Sequence, residues 1–253
     1  MRRALFAGLL GAGLMIAAPS GAAELKVLTA GAFKEILLAL VPGFERATGH
    51  KVVLDNATAG VLTKRIDSGE AFDLAVLGPS AIDELIAKGK IAAGTRVMLA
   101  RVGIGVVVKA GAPKPAIATV DDFKAALLAA KSVAYIDPAA GGSSGIYVAK
   151  LLQQLGIADT VNAKAKLIQG GAVATHVADG EAALGLHQIS EILPIPGVTL
   201  VGPLPAAIQN YTVYAAGIAA AAPQPATARA LIDRLAGPEA AAVLQAKGME
   251  PAS

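Results

Sequence analysis

The chain contains no cysteine. That excludes disulfides, thiolate-bound zinc, thiol nucleophiles and lipid attachment through a cysteine. Only three histidines occur, at His50, His176 and His187, and no H-x-x-x-H spacing or carboxylate cluster accompanies them, so no metal site is expected. There is no Walker loop. Gly103 and Gly105 lack the third glycine and the following helix of a dinucleotide site, so no cofactor is expected. Repeats, low-complexity tracts and Ser/Gly linkers are also missing. Lys and Arg number 22 against 19 Asp and Glu, and two of the basic residues lie within the first 23. The rest of the chain is close to neutral, which argues against nucleic acid or anionic membrane as a partner.

One long apolar run is present, and it stands at the start. Arg2 and Arg3 precede apolar Ala4 to Ala18, and Gly21-Ala22-Ala23 supplies small residues for cleavage. The run is fifteen residues long, short of the roughly 20 that a membrane span needs. This is the layout of a secretory signal peptide over residues 1–23. The expectation is export to the periplasm, with a soluble mature chain beginning near Glu24.

After the leader, short apolar runs alternate with amphipathic segments. Strands are expected at Leu25–Thr29, Val52–Leu54 and Asp73–Leu77. Helices are expected at Phe33–Thr48, Gly60–Ser68 and Ser80–Lys88, the last with Ser80 as N-cap. Arg96 to Lys109 is β-prone and too long for an ordinary strand, which suits a crossing between two lobes. A second set follows, with helices at Val120–Ala130, Gly145–Leu155 and Val173–Asp179. Its strands are read at Ser132–Ile136, Lys166–Ile168, Ala183–Leu186 and Val198–Val201. Strand Tyr211–Ile218 and a helical stretch Gln224–Lys247, broken at Gly237-Pro238, close the chain. Such alternation predicts an α/β class with mostly parallel sheets flanked by helices.

Five strand-to-helix turns are rich in small residues: Thr29–Ala32, Asn56–Gly60, Leu77–Ser80, Asp137–Gly145 and Gln169–Ala172. Free N–H groups at helix starts hold anions without basic side chains. In open α/β sheets the binding crevice lies outside the carboxyl ends of the strands. Two lobes facing each other across such turns predict an anion-binding cleft. Asp73 and Asp137, at strand edges, are expected to cap turns. His50 and His176 are expected on the surface, and His187 at the cleft.

The stretch Leu25 to Ile91 carries VLTAGAFKEI, RIDSGEAFDLAVLGPSAIDEL and KGKI in order. With DPAAGGSSGIYVAKLLQQLG from Asp137, and Tyr211–Ile218 followed by GPEAAAVLQAKGMEP, it resembles the periplasmic molybdate-binding proteins of ABC importers. The resemblance implies a two-lobed periplasmic binding protein fold. Lobe I would take residues 24–99 and 212–253 and lobe II residues 100–211, joined by two crossing segments. It also implies a monomer that binds a small anion, presents it to an inner-membrane permease and is not an enzyme. The ligand positions it implies are Ala32, Thr58 and Gly60 in lobe I, and Ser143, Ser144, Gly170, Gly171, His187 and Gln188 in lobe II. The family's serines stand at Ala32 and near Gly60 here, and its tyrosine near Gln188. A molybdate-like or tungstate-like oxyanion is the first expectation, and a small organic or other inorganic anion the alternative. A further alternative is an exported serine hydrolase. Gly141-Gly142-Ser143-Ser144-Gly145 fits G-x-S-x-G, with Asp179 and His187 following in triad order, although Asp137–Gly142 separates Ser143 from its strand.

Overall fold

The computed structural model describes residues 22–252. The leader read over residues 1–23 lies almost wholly outside them. Among the described residues no helix is long and apolar enough to cross a membrane.

The first sheet begins with β1 (Glu24–Ala30), β2 (Lys51–Ala57) and β3 (Leu74–Leu77). β2 and β3 flank β1 and run parallel to it. Helices α1 (Lys34–Thr48), α2 (Ala59–Asp67) and α3 (Pro79–Ala87) connect and follow these strands. In α1 the buried residues are Ile36, Leu37, Leu40, Val41 and Phe44, a single helical stripe facing the sheet. Pro42 stays within the helix. The N-cap of α3 is Gly78 rather than the expected Ser80, because Pro79 opens the helix with its fixed φ. His50, expected to be exposed, is half-buried. Its Nδ1 accepts a 3.0 Å hydrogen bond from the Ala23 N–H, and its ring lies 6.4 Å from that of Phe44.

β4 (Val97–Lys109) runs from one sheet into the other. Val97 to Gly103 pair antiparallel with β9 (Tyr211–Ile218), which in turn pairs with β3. Ile104 to Lys109 pair antiparallel with β7 (Leu184–Gln188) and with β8 (Val198–Pro203). Parallel β5 (Val133–Ile136) and β6 (Ala165–Ile168) extend this second sheet beyond β7. The chain returns through residues 204–210, and there Gln209 clamps the crossing. Its Oε1 accepts from the Ile104 N–H at 2.9 Å and its Nε2 donates to the Ile104 carbonyl at 3.0 Å. The two passages between the sheets are thus bonded to each other.

Helices α4 (Val120–Ala129), α5 (Ser143–Gln154), α6 (Ala158–Asn162), α7 (Val173–Ala178) and α8 (Ile189–Ile192) surround the second sheet. Strand alternation sends Val106, Val133 and Tyr135 into one core layer and Val107, Ala134 and Ile136 into another. The closing α9 (Pro225–Ala236) and α10 (Pro238–Ala246) pack with α1 on the first sheet, separated at Gly237. A short β10 (Glu250–Pro251) adds to β4. This is an α/β fold of two mixed sheets flanked by helices and joined through β4.

Candidate functional site

A cavity of about 300 Å³ lies at the carboxyl ends of β1, β2, β5, β6 and β7. Four of the five small-residue turns reach it, and the turn after β3 does not. The site therefore sits where strand ends of both sheets face each other, as parallel strands with helical returns require. A larger hollow of about 510 Å³ lies at the amino-terminal ends of β1 and β3. Its Lys26 is bonded to Glu70 at 2.7 Å.

Seven of the nine residues expected at the ligand come together here: Thr58, Ser143, Ser144, Gly170, Gly171, His187 and Gln188. Ala32 and Gly60 do not line the cavity. A turn of 3-10 helix, Gly31–Phe33, rolls fully buried Ala32 into the core, where its carbonyl accepts from Ser190 Oγ at 3.4 Å. Ala30 and Gly31 form that wall instead. Gly60 donates its N–H to the Gly141 carbonyl at 3.3 Å, so its amide is spent on the opposite turn. A Cβ on Gly60 would lie 3.1 Å from Gly141 Cα, and only glycines allow this approach. Thr58 reinforces the contact by donating from Oγ1 to the Ala140 carbonyl at 2.5 Å.

The turns are held by their own side chains. Asn56 Nδ2 donates to the Thr29 and Gly31 carbonyls at 2.9 and 3.2 Å. Asp137 accepts from the Ala139 N–H at 2.8 Å and from Gln169 Nε2 at 2.7 Å, tying together the turns after β5 and β6. No side chain caps α5, whose first-turn residues Ser143 and Ser144 line the cavity. Close packing fixes that turn, because a Cβ on Gly145 would lie 2.1 Å from the Ile136 carbonyl oxygen.

Gln188 is the hub of the polar wall. Buried to 2 % exposure, it donates from Nε2 to Ser143 Oγ at 3.0 Å and to Thr212 Oγ1 at 2.8 Å. Its Oε1 accepts from the Tyr214 hydroxyl at 3.0 Å. Burial raises the Tyr214 phenol well above its ordinary range, with the nearby Glu191 adding to the effect. Beside this hub, His187 Nε2 lies 3.2 Å from Glu191 Oε2, and His187 Nδ1 has no partner among the described residues. Burial pushes the His187 imidazole down to about 3 and keeps it neutral. Burial, with the Glu35 carboxylate adding to it, pushes the Glu191 carboxyl up to about 8. Near neutral pH the pair is therefore a neutral imidazole and a protonated acid.

The hydrolase arrangement is not assembled. Ser143 Oγ is bonded to Gln188 and Thr212, while Asp179 is exposed at the end of α7. His176, like His50, is half-buried, with its Nδ1 2.8 Å from Glu181 Oε2. Among the described residues no group of three or more metal-ligating side chains is gathered. Asn56 and Gln169 line the cavity from two of the expected turns, whereas Glu191 and Tyr214 line it and were not foreseen from the sequence. Glu191 lies four residues after His187, but α8 spans only Ile189–Ile192, too short for helical periodicity to reveal.

Two α/β lobes sharing a long crossing strand, with a polar cavity lined by neither Lys nor Arg, define a periplasmic-type solute-binding protein. The chain belongs to the bacterial extracellular solute-binding protein family, whose profile matches residues 25–250. It is 35 % identical over 252 residues to a Pseudomonas protein named aconitate isomerase, covering 96 % of this chain and 95 % of that one. It is 31 % identical over 251 residues to the molybdate-binding protein ModA of Azotobacter vinelandii, covering 94 % of each. The solved periplasmic molybdate-binding protein of Azotobacter vinelandii superposes with a TM-score of 0.77 at 24 % identity. That match covers 90 % of this chain and all of that one, and it shares the fold.

Proposed function

We propose that this chain captures a small polycarboxylate of the aconitate kind in the cavity between its lobes. The observation that carries this reading is the chemistry of the lining. It brings hydroxyls, carboxamides and the uncapped start of α5 together on walls drawn from both lobes, without a cation. Such a surface suits an extended anion whose carboxylates are each met by neutral donors. A volume of about 300 Å³ falls at the small-ligand end of pockets, which run roughly 300–1,000 Å³. The Pseudomonas relative is named for aconitate, an unsaturated tricarboxylate. Capture follows from closure of the lobes about the paired crossings at Ile104 and Gln209. Export, and presentation of the loaded form to an ABC permease, belong to the same proposal.

A second reading is a molybdate-like or tungstate-like oxyanion, favoured by the molybdate-binding relative at 31 % identity. Against it, Ala32 faces the core and Gly60 bonds to Gly141, so the first lobe offers a compact oxyanion few donors. Each missing bond to a buried anion costs about 1–3 kcal/mol. A thermal-shift screen of the purified protein against cis- and trans-aconitate, citrate, molybdate, tungstate and sulfate tests the choice. A ligand that binds only the folded state raises its stability with the logarithm of its excess over Kd. Stabilisation by the carboxylates is expected. A shift with molybdate or tungstate alone would reverse the assignment.

A further inference from the structure

Among the residues that line the cavity, one carboxylic acid occurs, Glu191, and it is placed against one imidazole, His187. The elements packed around Glu191 bring His187 from β7, Tyr214 from β9, and Lys34 and Glu35 from the start of α1. Lys247, after α10, lies 3.8 Å from Glu35 and offsets part of its charge. The Tyr214 hydroxyl is committed to Gln188, so it is not the group that a bound solute meets as a base. On the open side stands Gly31, where a Cβ would lie 3.6 and 3.7 Å from the two Glu191 oxygens. Glycine leaves that approach to the carboxylate clear. Protonated, Glu191 can donate to a bound anion; ionised, it repels one, so an acid that titrates inside the pocket departs from a plain anion receptor.

We propose that Glu191, positioned by His187, is an acid–base group that moves a proton between the two ends of an allylic polycarboxylate bound in this cavity. The inference rests on the carboxylate reading of the site. In the step, the Glu191 carboxylate takes a proton from the methylene carbon next to both a carboxylate and the double bond. The C–H electron pair becomes the new double bond as the old π pair shifts to the far carbon. That carbon then takes the proton back from Glu191. One C–H bond breaks and one forms, nothing is oxidised or reduced, and no co-reactant is required. For a tricarboxylate with a carboxylate on each of the three carbons, the product is again the same compound with its double bond relocated, in cis or trans geometry. A carboxyl held at about 8 is a stronger base when ionised than an ordinary surface carboxylate, and it titrates near working pH. The neutral imidazole 3.2 Å away holds its orientation without quenching it by a full positive charge.

The test is proton NMR of the purified protein with trans-aconitate in D2O, with binding followed by calorimetry on the same samples. Expected are deuterium entry at the methylene and vinyl positions and appearance of the cis isomer. E191Q should retain binding and lose exchange by about 10²–10⁴-fold, the usual contribution of a positioned acid–base group. Exchange in wild type should rise with pH through the Glu191 ionisation and level off above about 8. A His187→Gln variant should displace that profile along the pH axis rather than only lower its plateau. If E191Q does not fold, the wild-type profile decides, and a flat one overturns the proposal. Binding without exchange, or exchange undiminished in folded E191Q, overturns it while the capture reading stands. Absence of any carboxylate binding overturns both.

Discussion

Replacing Gln188 with leucine, which has nearly the same shape, isolates the polar wall of the cavity. The substitution removes the acceptor of the buried Tyr214 hydroxyl, which a 3.0 Å bond now satisfies. An orphaned buried hydroxyl costs about 1–3 kcal/mol. The two Nε2 bonds, to Ser143 at 3.0 Å and to Thr212 at 2.8 Å, are lost as well. Their cost is smaller, because Thr212 Oγ1 still donates to Ser143 Oγ at 3.1 Å and Ser143 is exposed to water. Together the loss comes to about 2–3 kcal/mol, a fall in Tm of roughly 4–12 °C for a chain of this size. Urea titration of wild type, Gln188→Leu, Tyr214→Phe and the double variant reads the effect. The double variant should recover about 1–3 kcal/mol of the summed single costs, since the orphan disappears with its hydroxyl. A single-variant loss below about 0.5 kcal/mol, or strictly additive costs, would refute the hydrogen-bonded hub.

Three further outcomes follow from the same geometry. Gly145→Ala should cost about 3 kcal/mol and disturb the start of α5, because its Cβ would lie 2.1 Å from the Ile136 carbonyl; circular dichroism melts check it, and an unchanged Tm contradicts the contact. Gln209→Ala should cost about 1–3 kcal/mol by stranding the Ile104 N–H, whose carbonyl keeps the Leu204 N–H at 3.0 Å; denaturant midpoints measure it. Stability should also vary with pH in two opposed ways. The raised Glu191 stabilises the fold at low pH and loses that contribution as pH climbs toward about 8, while the lowered His187 loses its contribution as pH falls from about 6.5 toward about 3. The two offset each other between about 4.5 and 6.5, so melts across pH should show a plateau there, and Glu191→Gln should remove the decline on its alkaline side.

The sequence disclosed most where one residue type has one physical meaning. Apolar runs set between small-residue turns marked β1, β3 and β5 with their helices, and the length of Arg96–Lys109 marked the strand that passes between sheets. The turns after β1, β2, β5 and β6 reached the cavity because parallel strands place their carboxyl ends together. What stayed hidden depends on contacts distant in the chain. Ala32 and Gly60 occupy the expected turns, yet a short 3-10 roll and a contact with Gly141 turn them away from the cavity. Tyr214 reaches the site from β9, which the pairings with β3 and β4 set beside it. Glu191 was obscured because it belongs to a helix of four residues.

The central claim is that the turns of both lobes hold a carboxylate anion between them. Calorimetric titration of the purified protein with trans-aconitate, and with molybdate in parallel, tests it most directly when repeated on Gly171→Val. Gly171 lines the cavity with φ +81°, a backbone that a β-branched side chain adopts only at a cost of about 1–2 kcal/mol. Saturable one-to-one binding of trans-aconitate, clearly tighter than that of molybdate and weakened at least tenfold by Gly171→Val, is the result expected. Tight molybdate binding that Gly171→Val leaves unchanged, with no heat from the carboxylate, would contradict both the ligand and the site.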